Sequence, residues 1–282
     1  MKQVDLHSHT TASDGSLTPV QLVDRAKEIG LAALAVTDHD TVAGLDEAIR
    51  RGNEAGVEVI PGIELATVEE DCDVHLVGLF IDYKAPALLE LLKGMSQSRA
   101  ERNLAMVDKL QEAGLNIRRE DLDRFRGSTI ARGHIAAILI ERGYAANTKE
   151  ALLKYMSPGT MGYVRRQTPS PEACIQAVHQ IGGLIFVAHI NQIDRRDWDR
   201  AQRVCRRMLE AGADGLETLY CEYDDVWRQR AEALRAEVHA LASGGSDFHG
   251  DIKPGLALGS GYGDLFVPYD FVEAMKQKLE KS

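Results

Sequence analysis

Short runs of apolar residues alternate along the chain with stretches in which apolar positions recur every three to four residues. The stretches predict helices, and the runs predict strands. The predicted strands cover residues 3–6, 31–37, 57–64, 75–81, 183–189, 214–220 and 238–247. Nearly apolar strands that alternate with helices are typical of a parallel sheet with helices on its faces. Seven such strands favour a barrel over an open sheet.

Local signals mark the ends of several predicted helices. Thr18 is followed by Pro19 and Gln21, a combination that caps the first turn of a helix and satisfies its free N–H groups. We expect this helix to end at Gly30, because glycine readily adopts the left-handed backbone that follows a helix. Ser170 is the equivalent N-cap of a later helix.

The strand–helix alternation stops between residues 86 and 166, where only helical patterns remain. Residues 93–166 contain 14 Lys and Arg against 8 Asp and Glu, although the whole chain has a net charge of −10. We interpret residues 86–166 as an inserted helical subdomain between the fourth and fifth strands of a barrel formed by 1–85 and 167–282. A basic segment in an acidic chain favours a local anionic ligand, while basic residues that only solvate helix faces are the alternative.

Composition narrows the class of protein. A chain of 282 residues that is 44% apolar and 27% charged is typical of a soluble globular protein. We expect no membrane segment, because no apolar run approaches the ~20 residues that span a bilayer, and we find no signal peptide. Four cysteines without C-x-x-C spacing predict reduced thiols and a cytoplasmic location. The acidic balance argues against binding of duplex DNA.

Histidines and carboxylates occur where the predicted strands end. His7 and His9 are two residues apart, so they share one face of a strand. A shared metal ion would accommodate both imidazoles, because each donates a lone pair to it. The carboxyl ends of barrel strands form one face, where barrel enzymes place their active sites. The further candidates there are Asp14, His39, Glu64, His189, Asp247 and His249.

His75 is the exception, because it lies at the start of its predicted strand. It reaches the same face if strands three and four form a hairpin. Asp38 is a candidate for orienting a ligating histidine, Asp40 for capping the next helix, and Glu217 reads as an ordinary carboxylate at a strand end. Three further histidines, His134, His179 and His239, lie outside the pattern.

Each candidate ligand taken alone has an ordinary structural explanation, such as a turn, a hydrogen bond or an ion pair. Their coincidence at strand ends favours a metal site. Mixed histidine and carboxylate ligands suit Zn²⁺, Mn²⁺ or Fe²⁺, and Mg²⁺ is compatible with the carboxylates. Nine ligands exceed the need of one ion, so we expect two or three ions that share a carboxylate. Such ions lower the pKa of bound water and neutralise phosphoryl oxygens, which is the chemistry of phosphate ester hydrolysis.

The motifs "DLHSH", "TDHD", "PGIE", His75, "AH" and "SDFH" resemble those of the PHP (polymerase and histidinol phosphatase) family, over Val4 to about Gly263. The stretch "DLHSHTTASDGSLTP" and the helical insertion look closest to the 3′,5′-nucleotide bisphosphate phosphatase branch, where relatives also act as 5′–3′ exonucleases on short RNA. The resemblance implies an α/β fold, a distorted (β/α)₇ barrel with a helical insertion subdomain, and a trinuclear metal centre, often of Mn²⁺. Ile190 stands where the family usually has a proline that rigidifies the turn.

The resemblance also implies how the ligands divide among three ions. The first ion would be held by His7, His9, Glu64 and Asp247. The second would be held by Glu64, as a bridge, with His75 and His189. The third would be held by Asp14, His39 and His249.

These ions would bind the phosphate that is cleaved, so a second phosphate needs other cations. Candidates in the basic insertion are Arg99, Arg102, Arg132, His134 and Lys154. Arg132 begins a predicted helix, where backbone N–H groups also favour anions, and a guanidinium suits two-pronged phosphate contacts. A solvated arginine is the alternative at each position.

The resulting hypothesis is a phosphatase that converts nucleoside 3′,5′-bisphosphates to nucleoside 5′-monophosphates and phosphate, in which Glu64 and Asp247 hold ions and Asp14 or His249 helps the 3′-oxygen leave. The choice of the 3′ ester rests on the resemblance alone. A 5′–3′ exoribonuclease on short RNA remains open, with Tyr144, Tyr155 and Tyr163 as stacking platforms. A histidinol-phosphate phosphatase and a non-catalytic metal or phosphate sensor also remain open.

Overall fold

A computed structural model describes residues 2–125 and 132–281. Within them, eight strands form one sheet in the order β7-β6-β5-β4-β3-β2-β1-β8. The strands are β1 (Gln3–Asp5), β2 (Ala33–Val36), β3 (Glu58–Glu69), β4 (Cys72–Leu79), β5 (Leu184–Val187), β6 (Gly215–Tyr220), β7 (Leu241–Gly245) and β8 (Val267–Pro268).

The sheet closes because the chain after β1 also bonds to β7 and the residues that follow it. The Leu6 N–H donates to the carbonyl of Gly244 over 3.1 Å, and the Asp247 N–H donates to the carbonyl of His7 over 2.9 Å. The predicted distorted α/β barrel is thereby confirmed. Its eighth strand, β8, pairs antiparallel with β1 and is too short to be recognised in the sequence.

The prediction of an all-parallel sheet is wrong at β4. β1 to β3 are parallel, and so are β5 to β7, but β4 is antiparallel to both β3 and β5. β3 and β4 form a long hairpin that turns at Glu70 and Asp71, which have φ values of 47° and 61°. This hairpin places His75 opposite Ala66, beside the end of the barrel that the other candidate ligands occupy.

Nine α-helices lie in the described residues. They are α1 (Pro19–Glu28), α2 (Leu45–Ala55), α3 (Pro86–Glu112), α4 (Arg132–Glu141), α5 (Thr148–Ala151), α6 (Pro171–Gln180), α7 (Trp198–Glu210), α8 (Asp225–Glu237) and α9 (Asp270–Leu279). Thr18 and Gln21 form the predicted capping box of α1, and the Ser170 hydroxyl accepts from the first turn of α6. Within 2–125 and 132–281, no helix has the length and apolar character required to cross a bilayer.

Shorter helical segments supplement these elements. They are the 3₁₀-helices Arg119–Phe125, Ile190–Gln192 and Gly250–Ile252, and the π-helix Leu152–Met156. The predicted helices at 119–126 and 131–143 reach into residues 126–131, which lie outside the described residues.

The chain divides into two compact units, Met1–Glu90 with Pro169–Ser282, and Leu91–Thr168. In the first unit, which we call the barrel unit, residues such as Leu6, Leu34 and Phe186 are fully buried. The second, helical unit has its own core around Leu110 and Leu139. Each unit therefore has an apolar interior of its own. Burial of apolar side chains is the main favourable term in folding, so each interior stabilises its own unit.

Candidate metal centre

All nine predicted ligands lie in the barrel unit, and most follow a strand directly. The ligands after β1 are His7 and His9, with Asp14 in the next turn; the others are His39 after β2, Glu64 in β3, His75 in β4, His189 after β5, and Asp247 and His249 after β7. The backbone thus brings together residues from six strands at one end of the barrel.

Glu64 lies at the centre of this group and is fully buried. Its Oε1 is 2.8 Å from His75 Nδ1 and 2.8 Å from His189 Nε2. Its Oε2 is 2.8 Å from His39 Nδ1 and 3.2 Å from His9 Nε2. One carboxylate therefore faces imidazoles from both of its oxygens, which is the arrangement expected of a ligand that bridges two ions.

Asp247 and Asp14 complete the group. Asp247 Oδ1 is 3.2 Å from His9 Nε2 and 3.4 Å from His249 Nδ1. Asp14 Oδ1 is 3.4 Å from His249 Nε2, and the Asp14 side chain is 50% exposed. Asp14 thus lies at the rim of the site, whose other members are buried or half-buried.

The donor atoms form four overlapping groups, within each of which all atoms lie within 4.8 Å of one another. The groups are His9–Asp14–His39–His249, His7–Glu64–His189, His7–His9–Asp247 and His39–Glu64–His75. They differ from the implied division in three respects. His9 also joins the third set, and Glu64 is absent from the group of His7, His9 and Asp247. The implied set of Glu64, His75 and His189 is split into one group that includes His7 and another that includes His39.

A separate observation also indicates that these donor atoms would suit divalent cations. Four buried atoms of this site make no well-oriented hydrogen bond within the described residues, although other site atoms lie close to them; they are His7 Nε2, His9 Nδ1 and Nε2, and Glu64 Oε2. A buried polar atom without a partner costs about 1–3 kcal/mol, and a bound cation would remove this cost for lone pairs that face one another. Nitrogen and carboxylate donors without thiolate suit borderline or hard divalent ions.

Cysteine does not join these groups. All four cysteines are buried free thiols. Cys221 lies beside the site, since its thiol donates to the carbonyl of Ser246 over 3.0 Å, one residue before Asp247. Burial raises the pKa of the Cys221 thiol well above its ordinary range, so the group stays protonated and is a poor metal ligand.

The site is strongly coupled electrostatically. Burial opposes charge on His9, but Asp247 and Glu64 outweigh it and raise the pKa of His9 to about 9. Burial likewise opposes ionisation of Glu64, but the surrounding imidazoles hold its pKa well below the ordinary range. Cations that bind here must therefore displace protons from imidazoles, because a ligating nitrogen has to be neutral.

Glu217 in β6 takes part in the site, which the sequence analysis did not predict. It is 2% exposed, its Oε1 lies 3.1 Å from His7 Nδ1, and its Oε2 accepts from the backbone N–H of His189 over 2.6 Å. A carboxylate on Nδ1 holds the proton there and leaves Nε2 free as a ligand. Glu217 therefore orients His7 towards Glu64 and Asp247. The available signal was a carboxylate in the middle of a strand that is otherwise without charge.

The roles considered for Asp38 and Asp40 are corrected by the structure. Asp38 accepts from the N–H and the hydroxyl of Thr10, both over 2.7 Å, and from the hydroxyl of Ser13 over 2.7 Å. It fixes the loop after β1 and does not orient a histidine. Asp40 Oδ1 accepts from the N–H of Ala66 over 3.1 Å and therefore ties the end of β2 to β3, while α2 has no side-chain cap.

Left-handed backbone occurs at three strand ends of the site. Asp40, His189 and Asp247 have φ values of 52°, 24° and 52°, a conformation that costs non-glycine residues of order 1–3 kcal/mol. Ile190, at the position where the resemblance led us to expect a proline, donates its N–H to the hydroxyl of Tyr223 over 2.7 Å. Proline has no N–H to donate, so in this chain a hydrogen bond fixes the turn after His189.

The arginines proposed for a second phosphate all lie in the helical unit. Arg99 and Arg102 are half-buried on α3, and Arg132 is exposed as the first residue of α4. α4 begins directly after residues 126–131, so its capping residue lies outside the described part of the chain.

The other two proposed cations have local contacts. His134 stacks on Phe125 at a centroid distance of 4.3 Å, and burial lowers the pKa of its imidazole. Lys154 Nζ donates to the carbonyl of Tyr144 over 3.3 Å and lies 5.0 Å from the ring centroid of Tyr155. Tyr155 is itself buried, so it is a poor platform for stacking RNA bases.

Comparison with known proteins adds a family match, two sequence relatives and a solved structure to this geometry. The model of the PHP domain family matches residues 5–217. A 5′-3′ exoribonuclease, Rnm, of Escherichia coli K12 is 36% identical over 249 residues, which cover 87% of this chain and 84% of that protein. A 3′,5′-nucleoside bisphosphate phosphatase of Chromobacterium violaceum is 34% identical over 268 residues, which cover 92% of this chain and 91% of that protein.

A solved structure from Bifidobacterium adolescentis, whose description as a metal-dependent phosphoesterase is itself provisional, has a TM-score of 0.83 and 31% sequence identity to this chain. The match covers 98% of this chain and 96% of that one. The likeness therefore extends over both units and not only over the residues of the site.

Proposed function

The chain belongs to the PHP domain family, and on that premise we propose that it hydrolyses the 3′-phosphate of nucleoside 3′,5′-bisphosphates. Nucleoside 5′-monophosphate and inorganic phosphate would be the products. Membership makes the chain a metal-dependent phosphoesterase of this family. The proposal adds the substrate, which rests on the 34% identity to a bisphosphate phosphatase over nearly its whole length.

The observation that carries the proposal is the convergence of buried imidazoles on both oxygens of Glu64. We propose His7, His9, Asp14, His39, Glu64, His75, His189, Asp247 and His249 as the ligands. Bound divalent ions would activate water and neutralise the phosphoryl oxygens. We propose Mn²⁺, with Zn²⁺, Fe²⁺ and Mg²⁺ as alternatives, since the donors are nitrogen and oxygen.

The chain's own groups divide the remaining work. Asp14 and His249 face each other at the rim over 3.4 Å, and we assign this pair to the departing 3′-oxygen. Burial opposes ionisation of Asp14, but His249 and His39 hold its pKa below the ordinary range. Asp14 is therefore anionic at neutral pH. Burial and the neighbouring His9 lower the pKa of His249, so His249 gives up a proton readily and would serve as the acid of the pair only while its imidazole does not bind an ion.

Hydrolysis of short RNA from its 5′ end is the second candidate, and the 36% identity to an exoribonuclease favours it. The two reactions are chemically close. Both break the bond between phosphorus and the 3′-oxygen of a nucleotide that carries a 5′-phosphate. They differ in whether the attacked phosphate is terminal or leads to another nucleoside, so one centre can serve both.

A nucleoside bisphosphate carries a second phosphate, which ions that bind the cleaved phosphate would not hold. We propose that cations of the helical unit serve it, with Arg132 as the first candidate and Arg99, Arg102, His134 and Lys154 after it. This assignment is supported by the excess of basic over acidic residues within 93–166 and by the exposure of the Arg132 side chain.

The test compares four substrates with the Mn²⁺-loaded protein: adenosine 3′,5′-bisphosphate, adenosine 3′-monophosphate, histidinol phosphate and a 5′-phosphorylated RNA pentamer. We expect the highest kcat/KM for phosphate release from the bisphosphate, with adenosine 5′-monophosphate as co-product. Faster release of 5′-mononucleotides from the pentamer would favour the exoribonuclease. Faster turnover of histidinol phosphate, or no turnover by metal-loaded protein, would refute the proposal.

A further inference from the structure

The two oxygens of Asp247 face different surroundings. Oδ1 points into the group of imidazoles, 3.2 Å from His9 Nε2 and 3.7 Å from His7 Nε2. Oδ2 points away from them and receives two donors, the ammonium of Lys253 over 2.5 Å and the hydroxyl of Tyr220 over 3.1 Å. The carboxylate is thus divided between a metal-facing oxygen and an oxygen that the protein holds.

Both donors are positioned by contacts of their own. The hydroxyl of Tyr220 accepts from Gln192 Nε2 over 2.7 Å, which leaves its hydrogen for Asp247. Lys253 follows the 3₁₀-helix after His249, and its N–H donates to the carbonyl of Gly250 over 3.2 Å. Gly250 has a φ of 70°, and a Cβ there would lie 1.9 Å from a side-chain oxygen of the facing loop. The turn that carries Lys253 therefore requires glycine.

We propose that Lys253 and Tyr220 are positioning residues that retain Asp247 Oδ2, so that Asp247 offers only Oδ1 to an ion. This inference rests on the proposed metal centre. Carboxylates bind ions through one oxygen or through two, and a charge-assisted hydrogen bond from an ammonium is strong enough to decide between them. An Oδ2 released from Lys253 would turn to the same ion and fill a position that water or phosphate needs, since catalytic metal sites keep a position open.

The barrel unit contains a matched control for this arrangement. Lys276 Nζ lies 2.6 Å from Glu58 Oε1, and the hydroxyl of Tyr269 donates to Glu58 Oε2 over 2.6 Å. This second Lys–carboxylate–Tyr set has the same chemistry, but Glu58 belongs to none of the four donor groups in the described residues. Loss of its ammonium should leave a metal centre unaltered.

The test uses Co²⁺, whose visible absorption weakens as its coordination number rises, together with p-nitrophenyl phosphate as a plain monoester. For Lys253→Met we expect unchanged Co²⁺ stoichiometry, weaker visible absorption per ion, a 10- to 100-fold lower kcat, and a KM within threefold of the wild type. Tyr220→Phe should shift the spectrum in the same direction but less. Lys253→Arg should restore most of both properties, and Lys276→Met should match the wild type.

Two results would overturn the inference while leaving the metal centre intact. One is a wild-type Co²⁺ spectrum in Lys253→Met, which would mean that Asp247 does not depend on the ammonium. The other is loss of bound Co²⁺ from folded Lys253→Met, which would make Lys253 necessary for binding itself. A wild-type protein that binds no Co²⁺ would refute the proposed centre as well, so the two failures are distinguishable.

Discussion

The substitution Glu217→Gln changes one atom type and tests how the site selects a histidine tautomer. Glu217 accepts on both oxygens, from the side chain of His7 and from the backbone N–H of His189. An amide has only one acceptor oxygen. The contact to His189 is the shorter, at 2.6 Å, and its donor belongs to the backbone, so we expect the amide oxygen to remain there.

The amide NH₂ would then face His7 Nδ1. That nitrogen must become an acceptor, which moves the ring proton to Nε2, the atom directed at Glu64 and Asp247. A protonated Nε2 cannot bind a cation. The change removes one charge-assisted hydrogen bond, about 1.5–3 kcal/mol. An outer-sphere substitution typically weakens metal binding 10- to 100-fold, which corresponds to about 1.4–2.7 kcal/mol.

The measurement is a chelator-competition titration of Mn²⁺ with wild type and Glu217→Gln, with circular dichroism to verify the fold. We expect a 10- to 100-fold weaker affinity in the variant. Glu222→Gln is the control, because Glu222 follows the same strand but accepts from the exposed guanidinium of Arg195. Equal Mn²⁺ affinity in wild type and folded Glu217→Gln would refute the tautomer argument.

Further outcomes follow from the same geometry. Glu64→Ala or Asp247→Ala should abolish hydrolysis and lower metal content in a folded barrel, and full activity with unchanged metal stoichiometry would contradict their assignment as ligands. Chelators should inactivate the enzyme while small thiol reagents should not, because Cys221 is buried with a raised pKa; rapid inactivation that substrate prevents would contradict this. Metal affinity should rise with pH up to about 9, because His9 is protonated below its raised pKa and must lose that proton to bind; a calorimetric titration that detects no proton release at pH 7 would contradict it. Arg132→Ala should lower kcat/KM on a 3′,5′-bisphosphate ~30- to 150-fold, the equivalent of one charged hydrogen bond, and hardly change it on a 3′-monophosphate; equal losses on both would assign Arg132 to the fold.

Sequence reasoning works best here where the signal is local. The capping box at Thr18 depends on residues three positions apart, and the two faces of a strand determine that His7 and His9 point together. Strand–helix alternation predicts the barrel. In a barrel the carboxyl ends of the parallel strands lie at one face, so the ligands that follow them meet there whatever the sequence of the loops. The hairpin that carries His75 needed only a plausible turn between two apolar runs.

The contacts that escaped prediction join residues far apart in the chain. Glu217 meets His7 across 210 positions, and neither residue's neighbours in sequence indicate the pairing. Lys253 lies in an irregular turn, where a lysine is ordinarily a solvated charge. Asp38 was given the wrong partner because three donors of the loop after β1 reach it first. Such hydrogen bonds depend on distances of a few tenths of an ångström, which composition and periodicity do not encode.

The closure of the barrel has a consequence for the order in which the protein can become active during synthesis. His7 and His9 are synthesised long before Asp247, yet their backbone is fixed by the chain around Gly244 and Asp247. Domains form as units while the chain emerges at about 5–20 residues per second, so more than ten seconds separate the first ligands from the last. A nascent chain that ends before Asp247 lacks that carboxylate, the imidazole of His249 and the backbone hydrogen bonds that join residues 247 and 248 to His7 and His9. We therefore expect the proposed metal centre to stay incomplete beside the translating ribosome until residues 247–249 have been synthesised.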